Sequence, residues 1–129
     1  MLPFQVTFKA GEPVSGQIVY AVKKAVVSGQ LKPGDRFPSV RQLSQELKIN
    51  PNTAHKVVAS LTDDGLLEVH PGIGTVVAEA PKPSREDRKA LLSDEVERLV
   101  VEALNLSLEL DDVTQAVAQT WKKVSKGQK

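Results

Sequence analysis

Asn50-Pro51-Asn52-Thr53-Ala54-His55-Lys56 brings amide, hydroxyl, imidazole and ammonium groups together within seven residues. Side chains of these types bond to base edges and to phosphates, and none of them is a large apolar group that would block entry to a major groove. Other chemistry finds less support. No nucleophile–histidine–carboxylate pattern, phosphate-binding P-loop or GxGxxG occurs, and 129 residues leave little room for a substrate pocket, so no enzyme is expected. His55 and His70 fall in separate segments with no carboxylate–histidine spacing, and the chain has no cysteine, so neither a metal nor another cofactor is expected.

The spacing of the flanking residues predicts what must hold this surface. Asn50 suits a helix N-cap, and Pro51 suits the first helical position, where its missing N–H costs nothing. Ala54, Val57, Val58 and Leu61 recur at helical spacing and form one stripe to bury. Asn52, His55, Lys56, Ala59 and Asp63 take the opposite face, and Gly65 can end the helix in the left-handed conformation. Just before it, Ser39 with Gln42 fits a capping box for a short helix whose stripe is Val40, Leu43 and Leu47, stopping near Lys48-Ile49. Two helices joined by so few residues make a helix-turn-helix. Behind them, Leu66 to His70, a Pro71-Gly72-Ile73-Gly74 turn and Thr75 to Ala78 read as a β-hairpin, the place of a wing.

Upstream, Leu2 to Phe8 alternates weakly and is expected as a short strand, broken by Gly11-Glu12-Pro13. Val14, Ile18, Val22 and Ala25/Val26 predict an amphipathic helix from Pro13 to Ser28, closed by Gly29 and followed by a turn at Lys32-Pro33-Gly34-Asp35. Downstream, Glu79 to Pro83 reads as a semi-rigid linker with two prolines. Ser84 then caps a long helix with Glu86 and Asp87 in its first turn and Leu92, Val96, Leu99, Val100 and Ala103 on one face. A break near Asn105 to Leu108 precedes a last helix from about Leu110. Its apolar face is Val113, Ala116, Val117, Trp121 and Val124, and Lys126 to Lys129 form a frayed tail.

Composition bounds the function. Lysine and arginine number 17 against 16 aspartate and glutamate, so the net charge is +1 and any basic surface must come from arrangement, not from excess. No apolar run approaches the roughly 20 residues that span a bilayer, and the first residues lack the pattern of a signal peptide, so a cytoplasmic location and no membrane partner are expected. A tail of two amphipathic helices is too small to bury both faces alone, and a second copy of the chain is the simplest cover. The interface would then use Leu92, Val96, Leu99, Val100, Val117 and Trp121.

At this point the residues resemble a known family. Leu31-Lys32-Pro33-Gly34-Asp35-Arg36-Phe37-Pro38-Ser39-Val40-Arg41-Gln42-Leu43 is similar to the L-x-P-G-D-x-L-P-S-x-R-x-L signature of GntR-family bacterial transcription regulators, with phenylalanine where leucine is usual. Asn50-Pro51-Asn52-Thr53, Leu61, Gly65-Leu66-Leu67 and Gly72-Ile73-Gly74-Thr75 continue the resemblance, which covers about half the chain in order. The short tail resembles the YtrA-like subfamily, whose C-terminal region serves dimerisation. The resemblance implies DNA contacts by Arg41, by Asn52, Thr53 and His55 or Lys56, and by Gly72 at the wing tip beside the minor groove. The family's wing is often rich in arginine or lysine, whereas here it reads Val69-His70-Pro71-Gly72-Ile73-Gly74.

The resulting expectation is an α+β chain. Residues 1–79 form a winged helix-turn-helix DNA-binding domain, and 80–129 a linker and C-terminal helical dimerisation region. Its function would be that of a dimeric, sequence-specific transcription regulator that represses by occupying a palindromic operator. Arg41, Asn50, Asn52, Thr53, His55, Lys56 and Gly72 would form the DNA-binding surface. Partners are double-stranded DNA, a second copy and, as an open alternative, an unidentified small-molecule effector. The competing expectation, motivated by the near-neutral charge and weakly basic wing, is a winged helix that binds protein and not DNA.

Overall fold

The computed structural model describes residues 2–79 and 84–125, so the linker core at 80–83 and the tail at 126–129 lie outside the described residues. Its elements, in chain order, are α1 (Val14–Val27), α2 (Val40–Leu47), α3 (Pro51–Asp63), β1 (Leu67–His70), β2 (Gly74–Val77), α4 (Arg85–Lys89), a π-helical segment (Ala90–Glu95), α5 (Val96–Asn105) and α6 (Leu110–Val124). They fall into two compact units divided between β2 and α4.

In the first unit, three helices and a hairpin close over an aliphatic core. Ile18, Val22 and Ala25 of α1 meet Leu43 of α2, Ala54, Val57 and Leu61 of α3, and Leu67 and Val77 of the hairpin. Val14, expected in the α1 stripe, is exposed, because the first turn of α1 runs past the edge of the core. Both α2 and α3 pack closely, and α3 also lies against α1. The caps explain where these helices start. Ser39 Oγ accepts from the Gln42 N–H at 3.1 Å, and Asn50 Oδ1 accepts from the Asn52 N–H at 2.7 Å. Only half of the expected capping box forms, since the Gln42 amide donates instead to Glu46 Oε2 at 2.8 Å. At the far end of α3, the Leu66 N–H reaches the Leu61 carbonyl and the Gly65 N–H reaches Thr62, with Gly65 at φ +82°. That pair of bonds is a Schellman motif, and it needs the left-handed residue that glycine supplies.

β1 and β2 pair antiparallel with Leu67 opposite Val77 and His70 opposite Gly74. The outer edge of β2 is taken by the chain entering α2. Phe37 N–H donates to the Thr75 carbonyl, Val77 N–H to Asp35, and Gly34 N–H to Val77, with Arg36 bridged to Val76. The expected strand at Leu2–Phe8 does not form. The arm pairs with neither β1 nor β2; its place is fixed by Phe4, which is buried and stacks on Phe37 with ring centroids 5.8 Å apart. The Gln17 amide further holds the arm by bonding both the N–H and the carbonyl of Lys9.

In the second unit, Ser84 Oγ accepts from the Asp87 N–H at 3.0 Å, as its place before Glu86 and Asp87 predicts. The long helix is not uniform, because Ala90–Glu95 widens to π-helical pairing before α5 resumes. At the break, the Leu108 N–H reaches the Ala103 carbonyl and the Ser107 N–H reaches Leu104, another Schellman pair with Ser107 at φ +60° in the position glycine usually takes. The Asp112 carboxylate then accepts from the Glu109 N–H at 2.8 Å and starts α6.

Candidate nucleic-acid interface

α3 presents two faces that differ in kind. Inward, Ala54, Val57 and Leu61 are fully buried and fix the rotation of the helix about its axis. Outward, Asn52, His55, Lys56 and Ala59 are exposed, and Thr53 is half-buried at the edge. Helical geometry makes the outward face a consequence of the inward one, because residues three and four apart share a side. The side chains of Asn52, Thr53, His55 and Lys56 make no hydrogen bond or ion pair among the described residues. Their donors and acceptors are therefore available to an outside partner. Asn50 differs: it is exposed, but its Oδ1 is committed to the helix start, which leaves its amide N–H groups outward.

Arg41 lies in the first turn of α2, exposed, with no partner for its guanidinium among the described residues. Its carbonyl accepts from the Ser44 hydroxyl within the helix. Between α2 and α3 stand only Lys48, Ile49 and Asn50. Lys48 takes the left-handed conformation at φ 55°, ψ 49°, which ends α2 and turns the chain toward α3.

At the wing tip, the Ile73 N–H donates to the His70 carbonyl at 3.0 Å, and Gly72 sits at φ +81°. Proline followed by a positive-φ glycine is the composition of a type II turn. Gly72 is exposed, and a Cβ built there meets nothing within 4 Å, so the glycine serves the backbone conformation and not a crowded contact. Around it Val69 and Ile73 are exposed, and the His70 imidazole lies 3.0 Å from the Glu68 carboxylate. The charge set against His70 beside the wing tip is thus negative.

Sequence reasoning does not single out Arg36. The bridge to Val76 puts it in a cross-strand row with Val76 and Glu68, on the sheet face that also carries His70. Its guanidinium is exposed and has no partner among the described residues, so it adds a positive charge beside the wing. The alternation Asp35-Arg36-Phe37 after the turn is the only local signal for it.

The expected interface residues of the second unit form no core there. Leu92, Val96, Leu99, Val100, Val117 and Trp121 are all exposed, and Leu91, Leu104, Leu106, Leu108 and Leu110, not singled out from sequence, are exposed with them. So much apolar surface on one small unit exceeds what scattered surface residues explain. Among the described residues no group of histidine, cysteine, aspartate or glutamate could hold a metal ion, and no helix is long and apolar enough to cross a membrane.

Comparison with known proteins gives this geometry its context. Residues 14–77 match the family described as bacterial regulatory proteins, gntR family. The chain is 29% identical over 126 residues to the HTH-type transcriptional repressor YtrA of Bacillus subtilis, covering 97% of each. A crystal structure of a transcriptional antiterminator from Listeria monocytogenes EGD-e superposes with a TM-score of 0.82 at 23% identity, over 95% of this chain and 92% of that one, and shares the fold. The AraR DNA-binding domain, solved in complex with operator ORX1, superposes with a TM-score of 0.51 at 25% identity, over 57% of this chain and 95% of that one. The chain, a winged helix-turn-helix followed by C-terminal helices, belongs to the GntR family of bacterial transcription regulators, in the short, YtrA-like form.

Proposed function

We propose that the protein is a dimeric, sequence-specific repressor that binds a palindromic operator. Residues 1–79 act as the DNA-binding domain, and 80–129 act as linker and dimerisation region. Arg41 and Lys56 hold phosphates, Asn52, Thr53 and His55 read base edges in the major groove, and Asn50 orients the helix start with its outward amide near the backbone. Gly72 brings the wing backbone close to the minor groove. Leu92, Val96, Leu99, Val100, Val117 and Trp121 contribute to the contact between two copies.

The observation that carries this reading is the pairing of buried Ala54, Val57 and Leu61 with an outward row of unpartnered polar side chains at the start of the same helix. The full-length similarity to a protein named as a repressor, and the fold shared with a domain solved on its operator, support it. In vitro selection of bound duplexes tests it. Enrichment of two inverted half-sites, their centres about 10 base pairs or a multiple apart, is the expected result. The exposed Val69 and Ile73 beside a carboxylate on the wing favour the competing reading, a winged helix that binds protein. Fluorescence anisotropy on random duplex at low salt separates the two: no binding there would overturn the DNA reading.

A further inference from the structure

α6 is the single helix Leu110–Val124, and its sequence is LDDVTQAVAQTWKKV. About its middle residue, Val117, the helix reads as a mirror image with the charges inverted. Leu110 mirrors Val124, Asp111 and Asp112 mirror Lys123 and Lys122, and Val113 mirrors Trp121. Thr114 and Thr120, Gln115 and Gln119, and Ala116 and Ala118 complete the pattern. Leu110, Val113, Val117, Trp121 and Val124 fall within one narrow arc of the helix, at about 100° per residue. On that arc Leu110 is 78% exposed, Val117 48% and Trp121 73%.

We infer that α6 packs antiparallel against α6 of a second copy, on a two-fold axis that passes through Val117. The inference rests on the dimer reading above and adds its geometry. In a two-fold interface each residue that meets a partner is met in return, so a helix crossing the axis must be complementary to itself reversed. α6 is. Antiparallel pairing seats Trp121 against the smaller Val113 at each end and sets Val117 against its own copy, so large faces small across the seam. It also brings the acidic first turn of each helix to the basic last turn of the other, and the helix dipoles oppose in the favourable sense. A parallel pair would put acid on acid, base on base and tryptophan on tryptophan. The charges flank the apolar seam instead of lying on it. They set direction through their field more than through close ion pairs, so their effect is sensitive to salt. Two 15-residue helices are each about 22 Å long and cover less than a stable dimer needs. The exposed Leu92, Val96 and Leu99 stripe supplies further area, with the α6 pair at the centre of symmetry.

The test uses the full chain. Because it has no cysteine, Val117→Cys introduces one thiol per copy. Mild oxidation or a short bis-maleimide should convert V117C rapidly to a covalent dimer, while Gln115→Cys, on the opposite side of the helix, should react slowly. Lys122→Asp should weaken dimerisation several-fold at low salt, and adding Asp111→Lys in the same chain should restore it. Rescue of that kind distinguishes charge pairing from a merely structural role for Lys122. Sedimentation of the unmodified chain keeps the two readings apart. A monomer at all concentrations would sink the dimer reading itself. A stable dimer in which V117C fails to cross-link, while Leu99→Cys does, would overturn the α6 pairing alone.

Discussion

Asn52 and Arg41 look alike as exposed polar residues, yet their positions give them different work. Asn52 is the second residue of α3, and its side chain is free because Asn50, not Asn52, caps the helix. Replacing it with alanine should leave folding intact and reduce discrimination between operator and random duplex by about 1–3 kcal/mol, measured as the ratio of the two affinities. Arg41 stands at the start of α2, where a guanidinium suits a phosphate. Arg41→Ala should weaken binding to every sequence alike and lower the salt slope by about one unit, which a titration across salt concentrations reads directly. Lys48 poses a separate question of backbone cost. It holds a left-handed conformation that an L side chain tolerates poorly, in the turn that joins α2 to α3. Lys48→Gly should stabilise the chain by about 1 kcal/mol in chemical denaturation, without changing DNA affinity.

At the scale of the element, the outward face of α3 depends on what lies behind it. Leu61 is fully buried, and its carbonyl also closes the helix by accepting from Leu66. Leu61→Ala should cost about 2–5 kcal/mol, seen as a lower denaturation midpoint, and should reduce DNA binding only in proportion to the fraction unfolded. Elements whose start, stop and stripe are local were legible in the sequence. Ser39, Asn50 and Ser84 each cap the helix that their spacing predicts, and Gly65 closes α3. What depends on distant partners was not legible. The bridge from Arg36 to β2 joins residues 40 positions apart, so no local pattern announces it. For the same reason Leu2–Phe8 alternates like a strand yet pairs with neither β1 nor β2, and Phe4 is held by a ring contact with Phe37. The π-helical segment at Ala90–Glu95 leaves the apolar spacing nearly intact and so escapes a reading based on period. The polar row on α3 was legible because it follows from which residues must be buried. The mirror pattern of α6 emerges only once that helix is bounded at Leu110 and Val124.

For the whole molecule, stability and DNA binding should be linked through association. The first unit has an aliphatic core of its own, from Phe4 to Val77, whereas nearly every large apolar residue of the second unit is exposed. A copy that covers those residues binds the folded helices and not the unfolded chain, so mass action stabilises the fold as concentration rises. Heating should therefore show a transition for the second unit whose midpoint climbs with protein concentration, while one assigned to the first unit stays fixed. Leu99→Asp, which places a charge on the exposed α5 stripe, should abolish the concentration dependence and spare the first transition. The same variant reports on function. Linking two recognition helices on one duplex makes the second binding event intramolecular, which can raise overall affinity by about 10²–10⁴ without any new contact to DNA. Leu99→Asp should lose that factor on a palindrome and bind a single half-site as well as the unaltered chain does. Equal affinity of the two chains for the full palindrome would show that each copy binds alone.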